Sequence, residues 1–181
     1  MTTARVRLQD CADKPWANGG GTLRDLLLWP AGADAQLRVS VARIGRSGPF
    51  SHLAGQQRCF ALLAGDGVTL ALPAGLQTVT PSDGAVAFDG ADAPMCTLLG
   101  GESLALNLMV RQGAGRPTLA RAQPRQPLQG RWRGVYAAGV LPVDVGTGVE
   151  VLDAGTLLWT DDAGTPTWRL GAGPGWCLSL E

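Results

Sequence analysis

The side chains with the most chemistry to offer are a set of anion and amide recognisers: Asn18, Thr22, Arg24, Arg38, Ser40, Ser51, Arg58 and Asn107. Guanidinium groups hold carboxylates through paired N–H donors, and amides and hydroxyls complete such a shell. Arg38 and Arg58 interrupt apolar runs, where an unpaired guanidinium carries a large desolvation cost. Each therefore calls for a carboxylate. The protein could supply it from Asp25, Asp89 or Glu102, or a ligand could bring it, and the sequence leaves both sources open.

Catalytic constellations are harder to assemble. The only histidine is His52, so a metal centre of several imidazoles cannot be built. Cys11, Cys59, Cys96 and Cys177 are scattered without a C-x-x-C pair and read as reduced, buried thiols. Asp66, Asp83 and Asp89 each precede a glycine and read as turn formers, not as ligands of Mg or Ca. No G-x-S-x-G elbow is present, and Ser51 and His52, as chain neighbours, would point to opposite faces of a strand. The glycine run of WANGGGTLRD, Gly19, Gly20 and Gly21, lacks the lysine and following helix of a phosphate loop. We assign no catalytic residue, metal or cofactor. His52, as the one candidate general base of the imidazole type, keeps a metal-free isomerase or hydrolase as the alternative reading.

The elements that position these residues are strands. Turn signals recur at Gly65-Asp66-Gly67, Ser82-Asp83-Gly84, Asp89-Gly90, Asp153-Ala154-Gly155 and Asp161-Asp162-Ala163-Gly164, with short apolar or alternating runs between them. In residues 37–42, Leu37, Val39 and Val41 share one face and Arg38, Ser40 and Ala42 the other. Residues 104–111 repeat the split, setting Asn107, Ala105, Met109 and Arg111 against four apolar residues. The second faces either look out from a sheet with one wet side or line the pocket of a barrel; Ala42, Ala105 and Met109 favour the pocket. In that setting Gly19 to Gly21 are predicted to bend the chain over the barrel mouth, presenting Asn18 and backbone N–H groups beside the arginines.

With 45% hydrophobic and 17% charged residues, the chain has the balance of a folded domain. Fifteen Lys and Arg offset fifteen Asp and Glu, so no general field recruits nucleic acid or an anionic membrane. No run is long enough to span a bilayer, and residues 1–16 lack the apolar stretch of a signal peptide, which points to the cytoplasm. The polar segment 114–130, rich in Pro and Gln, reads as a linker between lobes 1–113 and 131–181, with short helical turns around Thr118 to Ala122. Strands are expected near residues 131–138, 149–152, 156–160, 168–170 and 176–180. The six tryptophans serve as core or interface anchors, the latter for a homodimer or a ligand-free interaction protein.

Four ordered blocks resemble the HutD/Ves family: Pro15-Trp16-Ala17-Asn18-Gly19-Gly20-Gly21-Thr22-Leu23-Arg24; residues 37–42; Gly48-Pro49-Phe50-Ser51 with Gly55, Arg58 and residues 62–65; and Phe88-Asp89-Gly90 with residues 106–109. The likeness is dense from Pro15 to Gly113 and vague beyond. It implies an all-β, double-lobed cupin-like fold, a bicupin of RmlC-like jelly-roll β-barrels, with the H-x-H metal motif of cupins reduced to His52. Pro73-Ala74-Gly75 resembles the P-x-G turn of the second cupin motif, again without its histidine. The implied function is metal-free binding of a small anionic metabolite, a carboxylate, with a regulatory role in histidine utilisation or stress response. The site residues then expected are Asn18, Gly19, Gly20, Gly21, Thr22, Arg24, Arg38, Ser40, Ser51, Arg58 and Asn107.

Overall fold

The computed structural model describes residues 3–16, 19–164 and 166–181. They form strands, turns and two short 3-10 segments, with no α-helix among them. Strand β1 (Ala4–Arg7) comes first. It is followed by β2 (Asp13–Pro15), β3 (Gly21–Trp29), β4 (Leu37–Ile44), β5 (Gly48–Pro49), β6 (Gln56–Ala64), β7 (Val68–Leu72), β8 (Gly75–Val79), β9 (Val86–Asp89), β10 (Met95–Leu98) and β11 (Ser103–Arg111). The remaining strands are β12 (Pro117–Arg121), β13 (Pro127–Leu128), β14 (Trp132–Ala137), β15 (Leu141–Asp144), β16 (Val149–Leu152), β17 (Thr156–Thr160), β18 (Trp168–Leu170) and β19 (Gly175–Leu180). Every ladder is antiparallel, and the predicted turns fall between strands.

The chain divides into two compact units, Cys11–Gly115, and Arg116–Glu181 with the described residues up to Asp10. In the first, a six-stranded sheet of order β2-β3-β4-β11-β6-β9 accompanies a four-stranded sheet of order β5-β10-β7-β8. One core draws on both: Ile44, Phe60, Leu62 and Ala105 from the larger sheet, Val68, Leu70, Val79 and Cys96 from the smaller. Each fully buried large apolar side chain there contributes about 1.5–3 kcal/mol relative to exposure.

The second unit repeats the plan, with sheets of order β1-β17-β14-β19-β12 and β13-β18-β15-β16. Its core includes Val135, Leu141, Val143, Leu152, Leu158 and Trp168. The fold is thus all-β and double-lobed, each lobe a pair of antiparallel sheets in jelly-roll manner.

The division of the chain differs from the linker expected at 114–130. That segment holds β12, paired with β19, and β13, paired with β18. Its prolines mislead because both strands lie at sheet edges, where a missing N–H is tolerated. Around Thr118 to Ala122 the chain is extended through Arg121, not helical, and Leu119 is buried. Likewise β1 joins the second unit by pairing with β17.

Candidate ligand-binding site

The first unit holds a cavity of about 210 Å³ against the inner face of its six-stranded sheet. Register builds the wall: Arg38 on β4 and Arg58 on β6 both lie opposite Met109 on β11, and Ser40 and Phe60 both lie opposite Asn107. With adjacent strands about 4.8 Å apart, the two arginines flank one residue. All six side chains line the cavity, together with Trp16, Leu23, Ala42, Ile44, Phe50 and Leu53, so the walls are mainly apolar. Ser51 lines it from the loop after β5. Ser40 is 2% and Asn107 3% exposed, which rules out the wet-sided sheet.

The two arginines differ in how their charge is met. Arg38 donates from Nε to Asp25 Oδ1 at 2.6 Å, and Lys14 donates to Asp25 Oδ2 at 3.0 Å. Burial alone would raise the Asp25 pKa, but the hydrogen bonds and charges of Arg38 and Lys14 outweigh it and hold the carboxyl below its usual range. Asp89 is occupied otherwise, accepting from the Ala91 N–H and from Gln112, and Glu102 pairs with Arg43.

Arg58 has no carboxylate among the described residues. It is 6% exposed and donates from Nη2 to the neutral Asn107 Oδ1 at 3.2 Å, while its buried Nε has no acceptor. Its guanidinium lies 5.0 Å from the ring centroids of both Phe50 and Phe88, two cation–π contacts that offset part of the desolvation. Burial, aided by the Arg38 charge, lowers its pKa to about 10, so the group remains charged at neutral pH.

The second unit makes a comparison. Arg133 is buried there over the Trp168 ring, but its Nη groups donate to the Gly130 and Pro166 carbonyls. Two main-chain carbonyls thus meet the Nη groups of Arg133 where Arg58 has the Asn107 amide oxygen, and Nε is without an acceptor in both among the described residues.

Not every expected residue joins this cavity. Asn18 lies outside the described residues. Thr22 and Arg24 alternate along β3 with Leu23, which lines the cavity, and Asp25, which meets Arg38, so strand alternation turns them to the opposite face; Arg24 lies 3.7 Å from Asp13. Gly19, Gly20 and Gly21 do not line the cavity either, although Gly20 lines an adjoining depression with Trp16, Arg46 and Phe50. Their backbone is spent on the turn: Trp16 N–H donates to the Gly21 carbonyl, Gly19 N–H to the Trp16 carbonyl, and Gly45 and Arg46 N–H to the Gly20 carbonyl. Gly19 has φ +64°, and a Cβ on Gly21 would overlap the Arg43 carbonyl.

His52 is exposed, places Nδ1 3.0 Å from the Ala91 carbonyl and is not a cavity residue. The thiols of Cys59 and Cys96 are buried and pushed up to about 11, away from nucleophilic use. Reading the sequence missed Trp16, Phe50 and Phe60 as cavity walls and Phe88 as a support of Arg58. Their aromatic character was visible, but their convergence depends on the loop after β5 and on β9.

Two antiparallel sheets packed around one core, with a cavity against the inner face of the larger, make the cupin-like arrangement. The solved cupin 2 conserved barrel protein of Leptotrichia buccalis shares that fold with a TM-score of 0.59 at 8% identity, over 98% of this chain and 96% of that one. The HutD family model matches residues 8–173, and the chain belongs to that family. It is 25% identical to HutD from Pseudomonas fluorescens SBW25, solved in a formate condition, with a TM-score of 0.86 over 99% of this chain and 100% of that one. A relative from Pseudomonas putida, described as an uncharacterised 21.2 kDa protein in the hutC 3′ region, is 38% identical over 107 residues. That match covers 58% of this chain and 56% of the relative.

The metal that cupins commonly hold does not fit the residues here. The cavity presents two guanidinium groups, which repel a cation, and among the described residues no three His, Cys, Asp or Glu side chains converge. Among the described residues, no helix is long and apolar enough to cross a membrane.

Proposed function

We propose that the cavity of the first unit binds a small carboxylate, and that this HutD-family protein acts as a cytoplasmic, metal-free sensor or regulator in histidine utilisation. The observation that carries the reading is Arg58: a charged group 6% exposed, with a neutral amide as its hydrogen-bond partner and an orphaned Nε. Leaving a charge in that condition is costly, and a carboxylate would meet it with two charge-assisted hydrogen bonds. Arg38, Ser40, Ser51 and Asn107 complete the polar end. Trp16, Phe50, Phe60 and Met109 would receive an apolar or planar body. The location of the Pseudomonas putida relative and the formate condition of the solved HutD support this context. We place Gly19, Gly20 and Gly21 in a supporting role, as the turn beside the cavity and not as ligand contacts. The protein acts without nucleic acid or membrane, and a homodimer is compatible with it.

A thermal-shift panel of formate, acetate, urocanate and formylglutamate tests the reading. A true ligand at a hundredfold excess over Kd should stabilise the protein by about 2.7 kcal/mol. Trp16 fluorescence should change in parallel, and W16F should remove that change. The absence of any shift, or shifts that persist in R58M, would overturn the proposal.

A further inference from the structure

Arg38 and Arg58 bring two positive charges to one end of the cavity, and Asp25 returns one negative charge to that end. The Asp25 side chain is 13% exposed, while Lys14, its second partner, is 57% exposed and so offsets the Asp25 charge only in part. Arg24 and Asp13, 3.7 Å apart on the opposite face, largely cancel one another, as do the exposed Arg43 and Glu102. The balance facing a ligand is therefore one uncompensated cation, Arg58.

Resting on the carboxylate-site reading, we infer that Asp25 is a specificity-determining residue that restricts the cavity to monoanions. A first carboxylate neutralises Arg58. A second would have to lie against the apolar walls or approach Arg38, whose charge Asp25 already matches through a 2.6 Å hydrogen bond. There it would meet repulsion from the Asp25 carboxylate across a single guanidinium, moderated by the solvent that reaches Arg38.

The test uses the full chain, with succinate and its monomethyl ester as matched dianion and monoanion, titrated by calorimetry at pH 7.5 and low salt. The wild type should bind the ester at least about tenfold more tightly than succinate, and D25N should lower that ratio by about tenfold as Arg38 becomes free for a second carboxylate. Equal weakening of both probes in D25N, with the ratio kept, would mean that Asp25 only positions Arg38 and would overturn the inference. If D25N does not fold, K14M serves: exposing the Asp25 charge more fully should raise the ratio about twofold, and an unchanged ratio is the opposing result. Binding of neither probe to the wild type defeats the carboxylate-site reading itself, which is a separate outcome from binding with an unchanged ratio.

Discussion

At the residue scale, Arg58 and Asp25 make opposite predictions about stability. Arg58 is a buried charge without a counter-ion among the described residues, so R58M, which keeps the volume and removes the charge, should leave the unliganded protein as stable or more stable by about 1 kcal/mol. The loss of two cation–π contacts limits that gain. All acid-induced stabilisation should vanish in the same variant, and a loss above about 2 kcal/mol in urea unfolding would show that Arg58 supports the fold instead. Asp25 behaves in the reverse way. Its pKa is depressed in the folded state, so its contribution is fully present above the unfolded value near 4 and is lost as pH falls through the lower folded value. Urea titrations at pH 7 should show D25N less stable than wild type, with the gap closing below about pH 4. That Arg38 and Arg58 needed partners was legible from charges set in apolar runs. Which one had a protein partner was not, because the Asp25–Arg38 pair depends on the β3–β4 register and its irregularity between Asp25 and Leu27.

At the element scale, the run at Gly19 to Gly21 is a turn that seats β3 against β4. Gly21 lies opposite Ile44 in the ladder, and a methyl there would overlap the Arg43 carbonyl, which cannot shift without disturbing the pairing. G21A should therefore destabilise the protein by about 1–3 kcal/mol. It should weaken acid binding only in so far as β4 moves, as separate unfolding and binding titrations would show. The close approach of backbone to a neighbouring strand was readable from three glycines in an all-β pattern. Their absence from the cavity lining was not. It follows from where the turn's own N–H and carbonyl groups find partners, Trp16, Gly45 and Arg46, two of them more than twenty residues away. Strands with strong alternation, such as β4 and β11, were equally plain in the sequence. β12 was hidden because its proline and glutamine neighbours are tolerated at a sheet edge.

At the scale of the whole molecule, the units are not successive halves of the chain, since β1 pairs with β17 while the cavity belongs to Cys11–Gly115. Deleting residues 1–7 should uncover the edge of β17 and cost about 1–3 kcal/mol, the net value of a short hydrogen-bonded ladder. The Arg5–Glu150 ion pair, exposed at both partners, adds little to that. Carboxylate binding should survive the deletion, and its loss in calorimetry would contradict the assignment of the cavity to the first unit alone. The sequence by itself determined the all-β class, the family and the presence of cationic and amide groups on one face of two strands, because alternation and turn chemistry are local properties. Tertiary structure decided that Arg38 is answered by Asp25 while Arg58 stands beside a neutral amide, and that Arg133 in the second unit is capped by its own carbonyls. Those outcomes rest on strand register and on loops meeting across the core, where a shift of one residue would turn each side chain to the other face.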